Sequence, residues 1–480
     1  MSRIDPSITE GPGPLSDRLE CCVLLVGHGS HLSPASARPV HELARRLRAR
    51  GSFGEVRVAF WKEEPQLHQA FHLVERSEVF VVPVFTSTGY FTDRVVPREL
   101  ALDRTLVARP DLRIRECPAV GTHPRMSQVV MERAREAASL SAEEEAGATL
   151  VVAGHGTNRH PDSGRTTRAI VEALRREGSY GSVIPAFLDQ EPRLAEVLDG
   201  ERVRNVIVVP FFIAEGWHAG TTIPDDLALT GGRTRRGETT IWYGKPVGPH
   251  PAMVEVVLQL VEQEARREAR PETPGAGRDS SSSPPVSARA REAFGEWLRS
   301  AGPQGRSFLE TLVRPGEEGC FEIRHHLDRE RSRSELRRVE TPDGAVGLGA
   351  TTETGDHRPV RTAPGLRRGW RFSGLDEAEV WEVYAHLYPV APVHWYLGRT
   401  GGLSPRSFEE VARRQTGIYA GLEGMSDSEL ERLTQTVCAA DRCLRTPVWR
   451  PSFGVPARPS QGVPCPEPCS LFISEAREHT

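Results

Sequence analysis

Two tandem, doubly wound α/β halves with parallel sheets, followed by a smaller α+β domain, are the architecture this 480-residue sequence predicts. Three observations carry that expectation. A set of short motifs returns 127 positions later with no net insertion. Each copy alternates unbroken apolar runs with apolar residues at helical spacing. A Pro- and Ser-rich stretch then separates both copies from a region of different character, with tryptophans and a terminal group of cysteines.

The repeat fixes the register of everything else. Val26-Gly27-His28-Gly29-Ser30 returns as Ala153-Gly154-His155-Gly156-Thr157, and Ala59-Phe60 with Glu64-Pro65 returns as Ala186-Phe187 with Glu191-Pro192. Val81-Val82-Pro83 matches Val208-Val209-Pro210, and Gly121-Thr122-His123-Pro124 matches Gly248-Pro249-His250-Pro251. One difference stands out. Phe91 of the first copy aligns with His218 of the second, so only the second copy owns two histidines in this set. One fully equipped half predicts one working site.

Along the chain, residues 1–19 read as a disordered tail. Cys21 to Val26 is an apolar run that suits a strand buried on both faces, the usual state in a parallel sheet. Val40, Leu43, Ala44 and Leu47 then fall at helical spacing, with Gly51 as a stop. Val56 to Phe60 and Val79 to Phe85 are further strands, with a helix through Leu67, Phe71 and Val74 between them. The second copy repeats this with Thr149 to Ala153, a helix through Ile170 and Leu174 to Gly178, then Val183 to Phe187 and Val203 to Phe212. The halves are bounded at 20–140 and 141–265. Residues 266–288 contain a run of four serines followed by two prolines and read as a flexible linker. The accessory domain takes 289–480, with a strand over Phe321 to His325, a helix over Glu377 to Leu387, and bulk from Trp370, Trp381, Trp395 and Tyr396.

Composition removes several function classes. The net charge is −4 and no basic stripe points to nucleic acid. No apolar run approaches the roughly 20 residues that span a bilayer. The first twenty residues carry Arg3, Asp5, Pro6, Pro12 and Pro14 and do not read as a signal peptide, so the expected location is the cytoplasm. In that compartment eight cysteines point to thiols, metal ligands or redox groups before disulfides.

Both Gly-His-Gly turns follow a buried strand directly, which puts an imidazole at the carboxyl edge of a parallel sheet, where open α/β sheets bind ligands. His218 follows another strand through a short Ala-Glu-Gly-Trp turn, so His155 and His218 are candidates to share one ion. Imidazole suits iron, cobalt, nickel and zinc. Glu191 stands at the same edge. Neither turn has the spacing of a nucleotide-binding loop, and Gly27 and Gly154 occupy the place where a histidine phosphatase carries arginine.

The ordered set of strand, Gly-His-Gly-Ser/Thr, Phe-x-x-x-Glu-Pro, Val-x-Pro-Phe-Phe and Gly-x-His ahead of Ile-Pro resembles the class II chelatases of the sirohydrochlorin cobaltochelatase/ferrochelatase family, over about Cys21 to Glu264. The resemblance implies insertion of Co²⁺ or Fe²⁺ into a metal-free tetrapyrrole that carries many carboxylates. It gives His155 the role of metal ligand and acceptor of pyrrole protons, and His218 that of second metal ligand. Glu191 becomes the acid beside the macrocycle. Ile213, Ala214, Glu215, Gly216 and Trp217 become the segment lining it. His28, Glu64 and Phe91 are the equivalents in the degenerate half. Insertion must remove two pyrrole protons, which suits a neutral imidazole. Arg165 and Arg168 are candidates to face substrate carboxylates, and equally fit as solvated surface charges.

Cys438, Cys443, Cys465 and Cys469 form two close pairs, a spacing that suits zinc or an iron–sulfur cluster. Zinc ribbons use two-residue gaps, so the wider gaps here favour a 4Fe–4S cluster, with zinc as the alternative. The prolines in Cys465-Pro466-Glu467-Pro468-Cys469 point the same way. From about Ala290 onward the chain is also similar to the accessory iron–sulfur domain that follows a duplicated chelatase in some bacteria. The function expected is cobalt insertion into sirohydrochlorin for cobalamin synthesis. The alternatives are iron insertion for sirohaem, or a non-catalytic metal carrier or iron–sulfur scaffold. The expected partner is the tetrapyrrole, with neither nucleic acid nor membrane.

Overall fold

The computed structural model describes residues 20–30, 34–101, 109–156, 164–197, 204–268, 284–349, 365–402, 407–415, 421–438, 443–444 and 468–479. The tail expected over 1–19 and the residues at the centre of the expected linker lie outside them. The chain forms two compact units. The first comprises residues 1–29, 35–61 and 74–282, and the second 30–34, 62–73 and 283–480.

The first unit holds both repeats, each with its own sheet. In the first half β1 (Cys21–Gly27), β2 (Glu55–Phe60), β3 (Glu78–Pro83) and β4 (Arg113–Glu116) form an all-parallel sheet of order β2-β1-β3-β4. In the second half β5 (Thr149–Gly154), β6 (Ser182–Phe187), β7 (Asn205–Pro210), β8 (Arg233–Arg236) and β9 (Thr239–Tyr243) follow the order β6-β5-β7-β9-β8, antiparallel only at β8. Every residue of β1 and β5 is buried, as their unbroken apolar runs require. Helix α1 (Arg38–Arg50) buries Val40, Leu43, Ala44 and Leu47 and ends at Gly51, whose φ of 64° is the left-handed cap glycine favours. Its counterpart α2 (Arg165–Glu177) buries Ile170, Val171 and Leu174 and ends likewise at Gly178.

The halves share one core. Leu25, Phe80 and Val82 of the first sheet join Leu150, Val152 and Val209 of the second, through Val129 and Val130 of the helix Met126–Ala137 and Val256 and Val257 of the helix Met253–Glu268. Each buried Val or Leu contributes roughly 1.5–3 kcal/mol, so the halves stabilise each other. The repeated Gly-x-His-Pro motif is structural. A Cβ on Gly121 or Gly248 would overlap the carbonyl of Thr86 or Ile213. His123 and His250 each accept a backbone N–H through Nδ1, from Arg125 and Ala252, as the following helix begins.

The helix expected through Leu67, Phe71 and Val74 is reduced to a 3-10 turn, Leu67–Gln69, and one α-turn, Ala70–Leu73. That segment belongs to the second unit, where Leu73 packs with Ala290, Phe294 and Val393. The second unit is built on a mixed sheet of order β10-β11-β12-β14-β13: β10 (Arg306–Phe308), β11 (Thr311–Pro315), β12 (Phe321–His325), β13 (Arg337–Arg338) and β14 (Trp370–Leu375). The helices Val286–Arg299, Glu377–Leu387 and Ala391–Thr400 cover it, with Phe294, Trp370 and Tyr384 in its core. The segment expected as linker is helical at its ends, up to Glu268 and again from Val286. A separate small core joins Phe408, Leu430, Leu433, Val437 and Phe472. Among the described residues no helix is long and apolar enough to cross a membrane.

Candidate functional site

Three loops meet at the carboxyl edge of the second sheet, because β5 lies between β6 and β7. His155 leaves β5, and its carbonyl accepts from Leu188 N and Asp189 N of the β6 loop at 3.1 and 3.2 Å. Phe211 N donates to Ala153 O at 2.7 Å and ties in the β7 loop. Gly156 has φ 64°, and a Cβ there would crowd Phe187 and Gln190, so the turn admits only glycine comfortably.

His155 Nδ1 lies 2.6 Å from Gly156 O. A carbonyl only accepts, so Nδ1 carries a proton, and in the neutral ring the lone pair is on Nε2. His218 opens a wide helical turn, His218–Thr222, with its Nδ1 3.4 Å from Thr222 Oγ1. Tyr243 of β9 donates to Ala219 O at 2.5 Å and holds that turn in place. The two imidazoles stand with ring centres 4.8 Å apart at 84°. Rings whose nitrogens each sit about 2 Å from one ion have centres roughly 4–6 Å apart, so the spacing fits a shared ion. Burial pushes the His218 pKa below its ordinary value, His155 adds to that, and Asp189 opposes it. His218 is therefore neutral near pH 7, as a ligand must be. Among the described residues no group of three or more His, Cys, Asp or Glu side chains is arranged to hold a metal.

Asp189 is a residue that the sequence reading passed over. Its Oδ2 is 3.9 Å from His155 Nδ1, on the same side of the ring as the Gly156 carbonyl. The signal was present, because Lys62 occupies the matching place in the first copy. Glu191 is exposed, precedes a cis proline as Glu64 does, and accepts from Arg193 N at 3.2 Å and Arg193 Nε at 3.3 Å. Ile213 is half-buried against the shared core, Ala214 and Gly216 are half-buried, and Glu215 is exposed. Trp217 is 74% exposed, a large apolar face left to solvent.

The first half keeps the turn and sets Phe91 where the second half has His218. His28 Nδ1 meets Gly29 O at 2.8 Å, as in the second half. Phe91 also opens a wide helical turn, and its ring lies 5.4 Å from His28, packed with Phe85 and Trp61. A phenyl ring offers no lone pair. Glu64 belongs to the segment built into the second unit.

In the terminal region, Cys438 caps the helix Asp427–Val437 and Cys469 caps the helix Ser470–Glu478, and both thiols meet one small core. Cys469 Sγ accepts from Phe472 N at 3.5 Å at the start of that helix. Cys443 is buried and Cys465 lies outside the described residues. One member of each sequence pair is thus brought to the same place, which fits a thiolate-held cluster.

A duplicated α/β fold with two facing imidazoles at one sheet edge defines a metal-chelatase architecture. Comparison with known proteins agrees. The family described as CbiX matches residues 22–137 and again 149–264. A DR2241 stabilising domain matches 291–399, and a 4Fe-4S iron-sulfur cluster binding domain matches 400–478. The chain belongs to the CbiX-like class II chelatase family, with the chelatase domain duplicated in tandem and an iron–sulfur domain at its C-terminal end. A probable sirohydrochlorin cobaltochelatase of Halobacterium salinarum is 38% identical over 263 residues, 49% of this chain and 89% of that protein. A sirohydrochlorin cobaltochelatase of Methanopyrus kandleri is 32% identical over 138 residues, 24% of this chain and 95% of that one. The crystal structure of DR2241 from Deinococcus radiodurans, described as a multi-domain protein with structural similarity to chelatases and two additional novel domains, superposes with a TM-score of 0.75 at 31% identity. The match covers 96% of this chain and 98% of that one.

Proposed function

We propose that this chain inserts Co²⁺ into sirohydrochlorin, in the cytoplasm and on the route to cobalamin. The observation that carries the reading is the His155–His218 pair, 4.8 Å apart in one half only. The named substrates of the Halobacterium and Methanopyrus relatives supply the tetrapyrrole and the metal. Two imidazoles plus solvent hold a cargo ion more loosely than a closed four-ligand cage, so the ion can leave for the ring. Once the ion has left His155 for the ring, the freed Nε2 lone pair accepts a pyrrole proton, and Asp189 stabilises the imidazolium that results. Glu191 faces the macrocycle and relays protons. Ile213 to Trp217 line it, with the Trp217 indole offered to its flat face.

Iron insertion uses the same geometry, because both ions accept imidazole. Anaerobic incubation with sirohydrochlorin and each metal in turn, followed by absorbance, tests the reading. Accelerated cobalt insertion without ATP or a nicotinamide is expected. Faster iron insertion would make the chain a ferrochelatase, and rates equal to the uncatalysed control with both ions would make it a carrier.

Cys438, Cys443, Cys465 and Cys469 are the proposed ligands of a 4Fe–4S cluster, which when bound supplies one-electron redox capacity or a covalent staple for the terminal core. Anaerobic protein should contain iron and acid-labile sulfide in near equal amounts. Stoichiometric zinc without sulfide would overturn the assignment.

A further inference from the structure

The two halves differ in charge around the shared Glu as well as in the second histidine. Where the second half carries Arg168 and Arg193, the first carries His41 and Gln66 at the matching positions. The half with two facing imidazoles is thus also the half with two guanidiniums, and both bind Glu191. Arg168 lies over the Phe187 ring at 4.8 Å and donates from Nη2 to Glu191 O at 2.6 Å. Arg193 reaches the Glu191 carboxylate through its Nε at 3.3 Å, while its backbone N–H does the same at 3.2 Å. Both side chains are exposed at the edge that carries His155. Stacking and a main-chain bond fix Arg168 in a way that an ordinary surface arginine is not fixed.

We infer that Arg168 and Arg193 form a clamp for the peripheral carboxylates of a polyanionic tetrapyrrole, and so select the substrate by its acid side chains. Guanidinium presents a planar fork of five donors that matches carboxylate, and the Glu191 bonds use few of them. A substrate carboxylate displaces Glu191 from Arg193. That exchange binds the ring and releases the Glu191 carboxylate toward the pyrrole nitrogens. The clamp rests on the chelatase reading and adds to it the groups that tell an octacarboxylate from a dicarboxylate macrocycle.

The test is metal-free binding to the full chain, read by porphyrin fluorescence, with uroporphyrin as the octacarboxylate probe and deuteroporphyrin as the dicarboxylate probe. The variants are Arg168→His and Arg193→Gln, which install the residues of the first half, their double, and Arg193→Lys. Each single variant should weaken uroporphyrin about fivefold and the double about twentyfold. Deuteroporphyrin affinity should move less than twofold. Arg193→Lys should recover part of the loss, and added salt should shrink the wild-type preference. Unchanged uroporphyrin affinity in the double variant, or equal losses for both probes, would overturn the clamp while leaving the chelatase reading intact. Wild-type protein that binds neither probe would remove both.

Discussion

The two halves of the first unit share a backbone plan and diverge in what they present at the sheet edge. Both set a histidine on a Gly-His-Gly turn with Nδ1 bonded to the next carbonyl. Both follow the third strand with a wide helical turn whose first residue faces that histidine. In the second half that residue is His218, and in the first it is Phe91, packed with Phe85 and Trp61. Asp189 is answered by Lys62, and Arg193 by Gln66. The Glu191 loop is bonded to its own strand through Phe187 N and Pro192 O, whereas residues 62–73 are built into the second unit. A duplicated fold can thus keep its core in both copies while the residues at the sheet edge differ, because the core constrains buried apolar positions and leaves the loop ends free to diverge.

Exchanging the differing residues breaks the comparison most sharply. His218→Phe gives the second half the pairing of the first. It should cut cobalt affinity, read by titration, by at least about thirtyfold and insertion by about a hundredfold. The reverse change, Phe91→His, should add a second and weaker equivalent of bound cobalt. A wild-type stoichiometry in that variant would show that the first half lacks more than a ligand.

Asp189→Lys should slow insertion about tenfold, and Asp189→Asn about fivefold, with metal affinity changed less than the rate. In the proposed reaction the carboxylate acts on the imidazolium formed when a proton arrives, so its effect is expected at the turnover step. An unchanged rate in both variants would place Asp189 outside the reaction. Glu191→Gln should slow turnover severalfold.

Gly248→Ala drives a methyl against the Ile213 carbonyl. It should cost about 1–3 kcal/mol of stability and displace the segment ending at Trp217, read as a lowered Tm and a weakened tetrapyrrole affinity. Gly121→Ala makes the same clash with Thr86 in the first half, so it should lower Tm comparably and leave tetrapyrrole affinity unchanged.

The smallest effect expected is on acid stability. Burial lowers the pKa of both His123 and His250, from an ordinary 6.5. A histidine whose folded pKa is depressed contributes stability that is present above 6.5 and lost as pH falls below it, because the unfolded chain takes up the proton first. Arg133 and Arg46 also oppose the charging of His250, but Glu132 and Glu136 at 3.2 and 3.6 Å offset it, whereas Arg125 works against His123. Tm measured from pH 7 to 5 should therefore flatten more in His123→Gln than in His250→Gln. The opposite order would show that the carboxylates do not relieve His250.

Much of the fold was legible because periodicity records burial directly. The run Cys21 to Val26 became β1 and the Leu43/Leu47 spacing became α1, since a strand buried on both faces tolerates only apolar residues. The stretch after Pro65 was misread as one helix, because its apolar spacing serves packing in the second unit. The histidine pair was legible through the repeat. Asp189 and Arg193 were not singled out, because a lone charge in a loop has no periodicity and gains meaning only beside its counterpart. The Gly-x-His-Pro repeat served in the sequence only to fix the register, and its recurrence reflects a close backbone approach and a capped turn.

The central claim is that one half works. It is tested most directly by initial insertion rates for His28→Ala and His155→Ala side by side, with folding checked by circular dichroism. His155→Ala should lose at least about a hundredfold, since ligand and proton acceptor go together, while His28→Ala should stay within about twofold of wild type. Equal losses in the two variants would contradict the account and place both histidines in one shared reaction.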